Sequence, residues 1–268
     1  MAITLENVTV RAGGHVILDD VTLSIAAGEH VAIVGASGAG KSSLAGVLLG
    51  WHRATGGAVL VDGEPLDAAA LRRVRTETAW VDPQVQLWNR TLLDNLRYGG
   101  AGAAMDGVVE DANLGPLLEK LPDGFQTVLG EGGALVSGGE GQRVRMGRGL
   151  GRSSARLAIL DEPARGLDGA RRHAVVSAAR RRWHDATLLA ITHDIGETAN
   201  FGRVLVIDAG RVAEDGSPSE LAAREDSIYR RLLEAERDLK ASLWTDPKWR
   251  RLRMDNGRLT ERSGDAAL

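Results

Sequence analysis

Cysteine is absent from the 268 residues. That excludes disulfides and thiolate metal sites and fits a cytosolic setting. Long apolar runs are missing as well: stretches such as 44–49 and 204–207 fall far short of the about 20 residues a membrane-spanning helix requires. No bilayer-spanning segment is expected. The first residues open straight into an alternating strand pattern instead of a charged region followed by an apolar one, so no secretory signal is expected. An excess of either charge is also lacking, with 33 Lys and Arg against 36 Asp and Glu and a net charge of -3. This leaves no electrostatic footprint for nucleic acid, and no nucleic-acid partner is expected. The basic clusters at 180–182 and 248–253 are local and read as solvated helix faces. What remains is a chain with 43% hydrophobic residues, long enough for one large domain with a substantial core.

The most informative stretch is 30–50, HVAIVGASGAGKSSLAGVLLG. An alternating apolar run ends at Gly35, passes through Ala36, Ser37, Gly38, Ala39 and Gly40, and continues through Lys41, Ser42 and Ser43 into an apolar helical segment. Strand, glycine loop and helix in that order match the phosphate-binding pattern G-x-x-x-x-G-K-[ST] and its required flanks. Such a loop wraps a β-phosphate with backbone N–H groups, and bulky side chains would prevent the approach. The helix N-terminus adds positive dipole charge there. Lys41 brings a point charge to the β- and γ-phosphates, and the Ser42 hydroxyl is placed to ligand Mg2+.

Around this stretch the pattern is α/β. Alternation over residues 3–25 predicts a small antiparallel sheet with a turn at Ala12-Gly13-Gly14, followed by a short strand over 57–61, a turn at Asp62-Gly63, a helical patch over 71–75 and a strand over 78–81. From 88 to 151 helical patterns dominate, at 92–98 and 105–119, broken by Leu121-Pro122-Asp123-Gly124 and a glycine-dense segment over 130–141. This stretch is expected to be an α-helical subdomain inserted into the core. Buried strands follow at 157–160 and 186–192 with a helix from Asp168 to about Trp183 between them, then a hairpin over 203–214 and amphipathic helices to about Leu243. Strands alternating with helices imply a mostly parallel sheet with helices on its faces. The expected division is one domain over 1–243 and a tail over 244–268, in which Trp244 and Trp249 pack locally and the end is unstructured.

Two further groups complete a site. The strand 157–160 ends in Asp161 and Glu162, the Walker B pattern: Asp161 would hold Mg2+, and Glu162 would polarise a water attacking the γ-phosphate. The next buried strand ends in Thr192 and His193. Ligands of open α/β sheets bind at the carboxyl ends of strands, so Gly35, Asp161 and His193 are expected to converge at one edge. Between them, Ser137, Gly138, Gly139 and Glu140 open a helix and make a second anion-binding N-terminus. Either the helical subdomain folds back over the phosphate loop, or two nucleotides are shared across a two-fold dimer.

GASGAGKSS at 35–43, VSGGE at 136–140, ILDEP at 159–163, RGLD at 165–168 and TH at 192–193 together resemble the nucleotide-binding domain of ABC transporters, in order and spacing, over about residues 1–238. The resemblance implies a P-loop ATPase core, hydrolysis of ATP with Mg2+, and a head-to-tail homodimer or heterodimer. Each ATP would lie between one phosphate loop and the partner's Ser137, Gly138, Gly139 and Glu140. Lys41, Glu162 and His193 would be the catalytic residues, and Ser42, Asp161 and Gln84 the metal ligands. Leu121-Pro122-Asp123-Gly124, Thr127, Gly130-Glu131-Gly132-Gly133, the segment 91–96 and Ser227-Ile228-Tyr229 are similar to the exporter type. That implies a membrane-spanning partner, fused or separate, and a place on the cytoplasmic side of the membrane; the alternative is a soluble ABC-type ATPase without a transport role.

Three departures from the family pattern stand out. Arg11-Ala12 replaces the aromatic residue that stacks on adenine, leaving Arg11 or His15 for that role. Pro83 aligns with the glutamine that ligands Mg2+, leaving Gln84 or Asp82. Val136 and Glu140 replace a leucine and a glutamine.

Overall fold

A computed structural model describes residues 1–82, 84–98, 105–167, 169–245, 252–255 and 258–261. Pro83, Asp168, Trp249 and the C-terminal end expected to be unstructured lie outside the described residues. The N-terminal alternation folds as two long strands, β1 (Ile3–Ala12) and β2 (His15–Ile25), and β3 (His30–Val34) leads into α1 (Lys41–Leu48). The strand expected at 57–61 begins earlier, as β4 (Ala54–Val61), and is followed by the short β5 (Glu64–Pro65). The helical patch becomes α2 (Ala68–Glu77), extended at its start because Asp67 accepts the Ala69 and Ala70 N–H groups at 2.8 Å each. Next come β6 (Thr78–Val81) and α3 (Leu92–Arg97).

The single helix expected over 105–119 is instead two, α4 (Val108–Asp111) and α5 (Gly115–Lys120). Pro116 lacks an N–H and can stand only in a first turn, so it starts a new helix. Asn113 takes the left-handed conformation (φ 51) at the break. The remaining elements are α6 (Gly138–Leu150), β7 (Leu157–Asp161), α7 (Gly169–Arg182), β8 (Thr187–Ile191), β9 (Arg203–Asp208), β10 (Arg211–Gly216), α8 (Pro218–Ala223) and α9 (Ile228–Thr245). A two-stranded ladder, β11 (Leu252–Asp255) with β12 (Arg258–Glu261), lies in the segment expected to be a simple tail.

The fold is α/β, as the strand and helix alternation implies. Six strands run in the order β10-β9-β3-β8-β7-β6, parallel except for the hairpin strand β10, and a separate antiparallel sheet runs β2-β1-β4-β5. Strand alternation divides the interior in two. Val31, Ile33, Ile159, Leu189 and Ile191 face a core shared with α1 and the N-terminal sheet. Ala32, Val34, Leu160, Leu188 and Ala190 face a core that takes in Leu92, Leu96, Leu117, Val144, Leu150 and Trp183. The helices between β6 and β7 therefore bury their apolar stripes in the same core as one sheet face. Arg148 of α6 ties down α3 and the segment ahead of it: its Nε donates to the Asn95 carbonyl of α3 at 2.8 Å, and its guanidinium lies 4.6 Å over the Trp88 ring. Among the described residues no helix is long and apolar enough to cross a membrane.

Candidate functional site

The strand order places β3 beside β8 and β8 beside β7, in register with Ile33 opposite Ile191 and Ile191 opposite Asp161. Three loops leave the same carboxyl edge in consequence. They line one cleft of about 340 Å3, bounded by Ser37, Gly38, Gly40, Lys41, Ser42 and Ser43 on one side and Asp161, Glu162, Arg165, Ile191 and His193 on the other. Asp82 and Gln84, the two candidates left by Pro83, both line it, and Gln84 N–H donates to Asp82 Oδ1 at 2.6 Å. A larger open depression of about 580 Å3 includes Glu29, His30 and Arg203. Its arginine is already paired with Asp215 at 2.7 Å and Glu29 at 3.0 Å, so it brings no free cation to a phosphate.

Lys41 is buried at the floor of the cleft and donates from Nζ to the carbonyls of Gly35 and Ala36, 2.8 Å each. Burial lowers the affinity of its amine for a proton, and the Glu162 and Asp161 carboxylates oppose that shift. The loop packs tightly from below: a Cβ on Gly40 (φ 109) would stand 2.8 Å from the Ile17 carbonyl of β2. A Cβ on Gly38 would meet nothing within 4 Å, so the loop's upper side is open. Arg11 and His15, the expected base-stacking residues, are exposed at the turn end of the β1–β2 hairpin and do not line the cleft.

Across the cleft, burial raises the Asp161 carboxyl, and the Ser42 hydroxyl hydrogen-bonds to it and opposes the shift. A hydroxyl and a carboxylate that burial has stripped of water form the kind of hard-oxygen pair that fits Mg2+, with phosphate oxygens and waters completing the shell. Glu162 holds a positive φ of 48, costly for a residue with a Cβ, and its N–H is fixed to the Ile191 carbonyl at 2.9 Å. This turn takes Glu162 out of the line of β7 and sets Oε1 3.4 Å from His193 Nε2. Oε1 is buried and has no hydrogen-bond partner among the described residues. Burial pushes the Glu162 carboxyl up, with Asp161 adding to the shift, while burial and then the Lys41 charge push the His193 imidazole down. A carboxylate with an unused acceptor beside a neutral imidazole is equipped to take a proton from water.

The second expected anion site lies elsewhere. Ser137 caps α6, accepting the Glu140 N–H at 3.3 Å while its own N–H donates to Glu140 Oε2 at 2.9 Å. Lys120 donates to Glu140 Oε1 at 2.7 Å, and this bond, followed by that from Ser137, holds the Glu140 carboxyl down at about 2. The carboxylate is thus committed to shaping the helix start, where a glutamine would be the commoner residue. Ser137, Gly138, Gly139 and Glu140 do not line the cleft of their own chain. Of the two arrangements open from the sequence, the helical segment folded back over its own phosphate loop is the one this structure does not adopt.

Residues unassigned from the sequence also bear on the site. Gln142 of α6 donates to the Pro163 carbonyl at 3.1 Å and so braces the turn after Glu162. Arg165 lines the cleft with no hydrogen bond or ion pair of its guanidinium among the described residues. Gln142 has no signal in a single sequence, since an isolated glutamine on a helix is ordinary surface composition, whereas Arg165 opens the RGLD motif at 165–168, which the sequence marks without giving the arginine a role.

A sequence model of the family described as "ABC transporter" matches residues 18–165. The chain belongs to the ABC transporter family. It is 37% identical over 209 residues to an ATP-dependent lipid A-core flippase of Alkalilimnicola ehrlichii, covering 76% of this chain and 35% of that protein. It is 35% identical over 245 residues to the mitochondrial iron-sulfur clusters transporter ATM1 of Saccharomyces cerevisiae, covering 88% of this chain and 35% of that protein. A solved structure of a bacterial Atm1-family ABC exporter with ATP bound superposes with a TM-score of 0.83 at 31% identity, over 88% of this chain and 42% of that one. These relatives bear out an ABC nucleotide-binding domain of the exporter type. The chain spans little more than a third of the length of the curated relatives it matches.

Proposed function

We propose that this chain binds and hydrolyses ATP with Mg2+ on behalf of an ABC exporter, as the part on the cytoplasmic side of the membrane that drives a membrane-spanning partner. The observation that carries this proposal is the gathering of Lys41, Ser42, Asp161, Glu162 and His193 around one cleft while Ser137, Gly138 and Gly139 stay outside it. Residues 35–43 cradle the β- and γ-phosphates through backbone N–H groups and the Lys41 ammonium. Ser42 and Asp161, with Gln84 or Asp82, would hold Mg2+, which when bound would supply positive charge to the phosphates. Glu162 takes the proton of the attacking water, and His193 holds that water and the γ-phosphate in line. A second copy, or a related chain, brings Ser137, Gly138 and Gly139 at the start of α6 to the far side of the γ-phosphate, with Glu140 shaping their turn. Closure and reopening of that pair would drive transport.

Binding and hydrolysis are separable, and Lys41 tests the first. Lys41→Ala is expected to weaken ATP binding at least about 100-fold, the ~3 kcal/mol of a lost charge-assisted contact to phosphate. Titration calorimetry with ATP and Mg2+ measures it. Unchanged affinity would remove the cleft from the account.

A further inference from the structure

The loop that carries His193 is held from outside the nucleotide cleft. Its backbone leaves the sheet after the Thr192 N–H to Ile33 carbonyl bond of 3.2 Å, and the Asp194 N–H then folds back onto Thr192 Oγ1 at 3.0 Å. Beyond that point the ties come from two helices. The Asp194 carboxylate, with a side chain only 13% exposed, pairs with Arg172 of α7 and with Lys240 of α9, the latter at 3.5 Å. Gly196 N–H donates to Glu236 Oε2 of α9 at 2.9 Å, and Glu236 pairs in turn with Lys240. Arg172 reaches the other wall as well, donating from Nη2 to the Leu167 carbonyl at 3.1 Å in the loop downstream of Glu162. These side chains line a cavity of about 370 Å3 directly behind the pair, and the cavity shares Glu162, Arg165 and His193 with the nucleotide cleft.

We propose that Asp194, Arg172, Glu236 and Lys240 are positioning residues that set His193 against Glu162, so that the C-terminal helix α9 supports the hydrolytic site. This rests on the ATPase activity proposed above. The physical case is geometric. In-line attack tolerates little displacement, and about 1 Å of misplacement can cost on the order of 100-fold in rate. A loop with few ties to the sheet needs its remaining ties to be directional, and a carboxylate accepting a backbone N–H supplies direction where a solvent-screened surface pair would not. Arg172 joins the loop bearing His193 to the loop after Glu162, so the two walls of the site move together or not at all.

The experiment compares Glu236→Ala with Glu236→Gln in the full chain. The alanine removes the acceptor for Gly196 N–H, while the glutamine keeps it. Glu236→Ala is expected to lower kcat for ATP about fivefold with KM within about twofold, and Glu236→Gln to restore kcat to within about twofold of the unaltered chain. Equal effects of the two variants, an unchanged kcat, or a matching change in KM would overturn the proposal. A second readout needs no turnover: the ring 15N signals of the six histidines, with His193 assigned from His193→Ala. The His193 signals are expected to shift in Glu236→Ala and return in Glu236→Gln while the other five stay put, and unmoved His193 signals would overturn the proposal. If the unaltered chain hydrolyses no ATP, the ATPase proposal fails on its own, and the ring signals still decide whether α9 positions His193.

Discussion

Glu162→Gln is expected to lower ATP turnover by about two to three orders of magnitude, the range of a lost general base, while ATP affinity stays within about twofold. The change is isosteric and removes only the basic oxygen, so it probes chemistry and not packing. Three observations put the effect at this residue. Its Oε1 is buried without a hydrogen-bond partner among the described residues, its backbone is held at a positive φ by the Ile191 carbonyl, and His193 stands 3.4 Å away. A strained turn at the end of a strand costs stability and persists where the surrounding structure requires it. Steady-state turnover and equilibrium ATP binding of the purified variant separate the two expectations. Turnover equal to that of the unaltered chain would remove Glu162 from the chemistry.

Gly35→Ala is expected to be the most disruptive single change in the phosphate loop, destabilising the chain by at least about 3 kcal/mol through overpacking and backbone strain combined. A Cβ at Gly35 would stand 2.1 Å from the Ile207 carbonyl oxygen and 3.1 Å from its carbon, both backbone atoms of the neighbouring strand β9, and φ there is +144. No side-chain rotation relieves such a contact. Either β9 moves or the loop does, and the loop forms one wall of the cleft. Gly38→Ala is the control, because its Cβ would enter open space and only the φ of +78 resists it; about 1 to 2 kcal/mol is expected. Urea unfolding of the two variants measures the difference, and a Gly35→Ala midpoint equal to that of Gly38→Ala would contradict the packing argument.

Much of the site was legible because its signals are local or topological. Alternation into Gly35, the small residues before Lys41 and the apolar helix after it each carry their own physics, and β3 with α1 appears where that pattern puts it. The convergence of Asp161 and His193 on the same cleft followed from the rule that loops leave parallel strands at one edge. The break between α4 and α5 was hidden because the apolar spacing of 105–119 runs on through Pro116, and only the ring's geometry decides that a helix must restart there. The bracing from α9 was hidden for a different reason. Glu236 and Lys240 are four residues apart and read as an ordinary surface pair on an amphipathic helix; nothing in their own segment says that a backbone N–H forty positions away will find them. The base-stacking role expected of Arg11 or His15 likewise depends on where an exposed hairpin turn lies relative to a nucleotide, which sequence spacing does not encode.

On the proposed function, each phosphate cleft is half of a site, completed by Ser137, Gly138 and Gly139 of a second chain. The most direct test is ATP turnover per chain as a function of protein concentration, with ATP and Mg2+ saturating. A shared site predicts that the rate per chain rises with concentration, in proportion to it at the dilute end, and reaches a plateau once dimers dominate. A rate per chain that stays constant from the most dilute sample to the most concentrated would contradict the shared site.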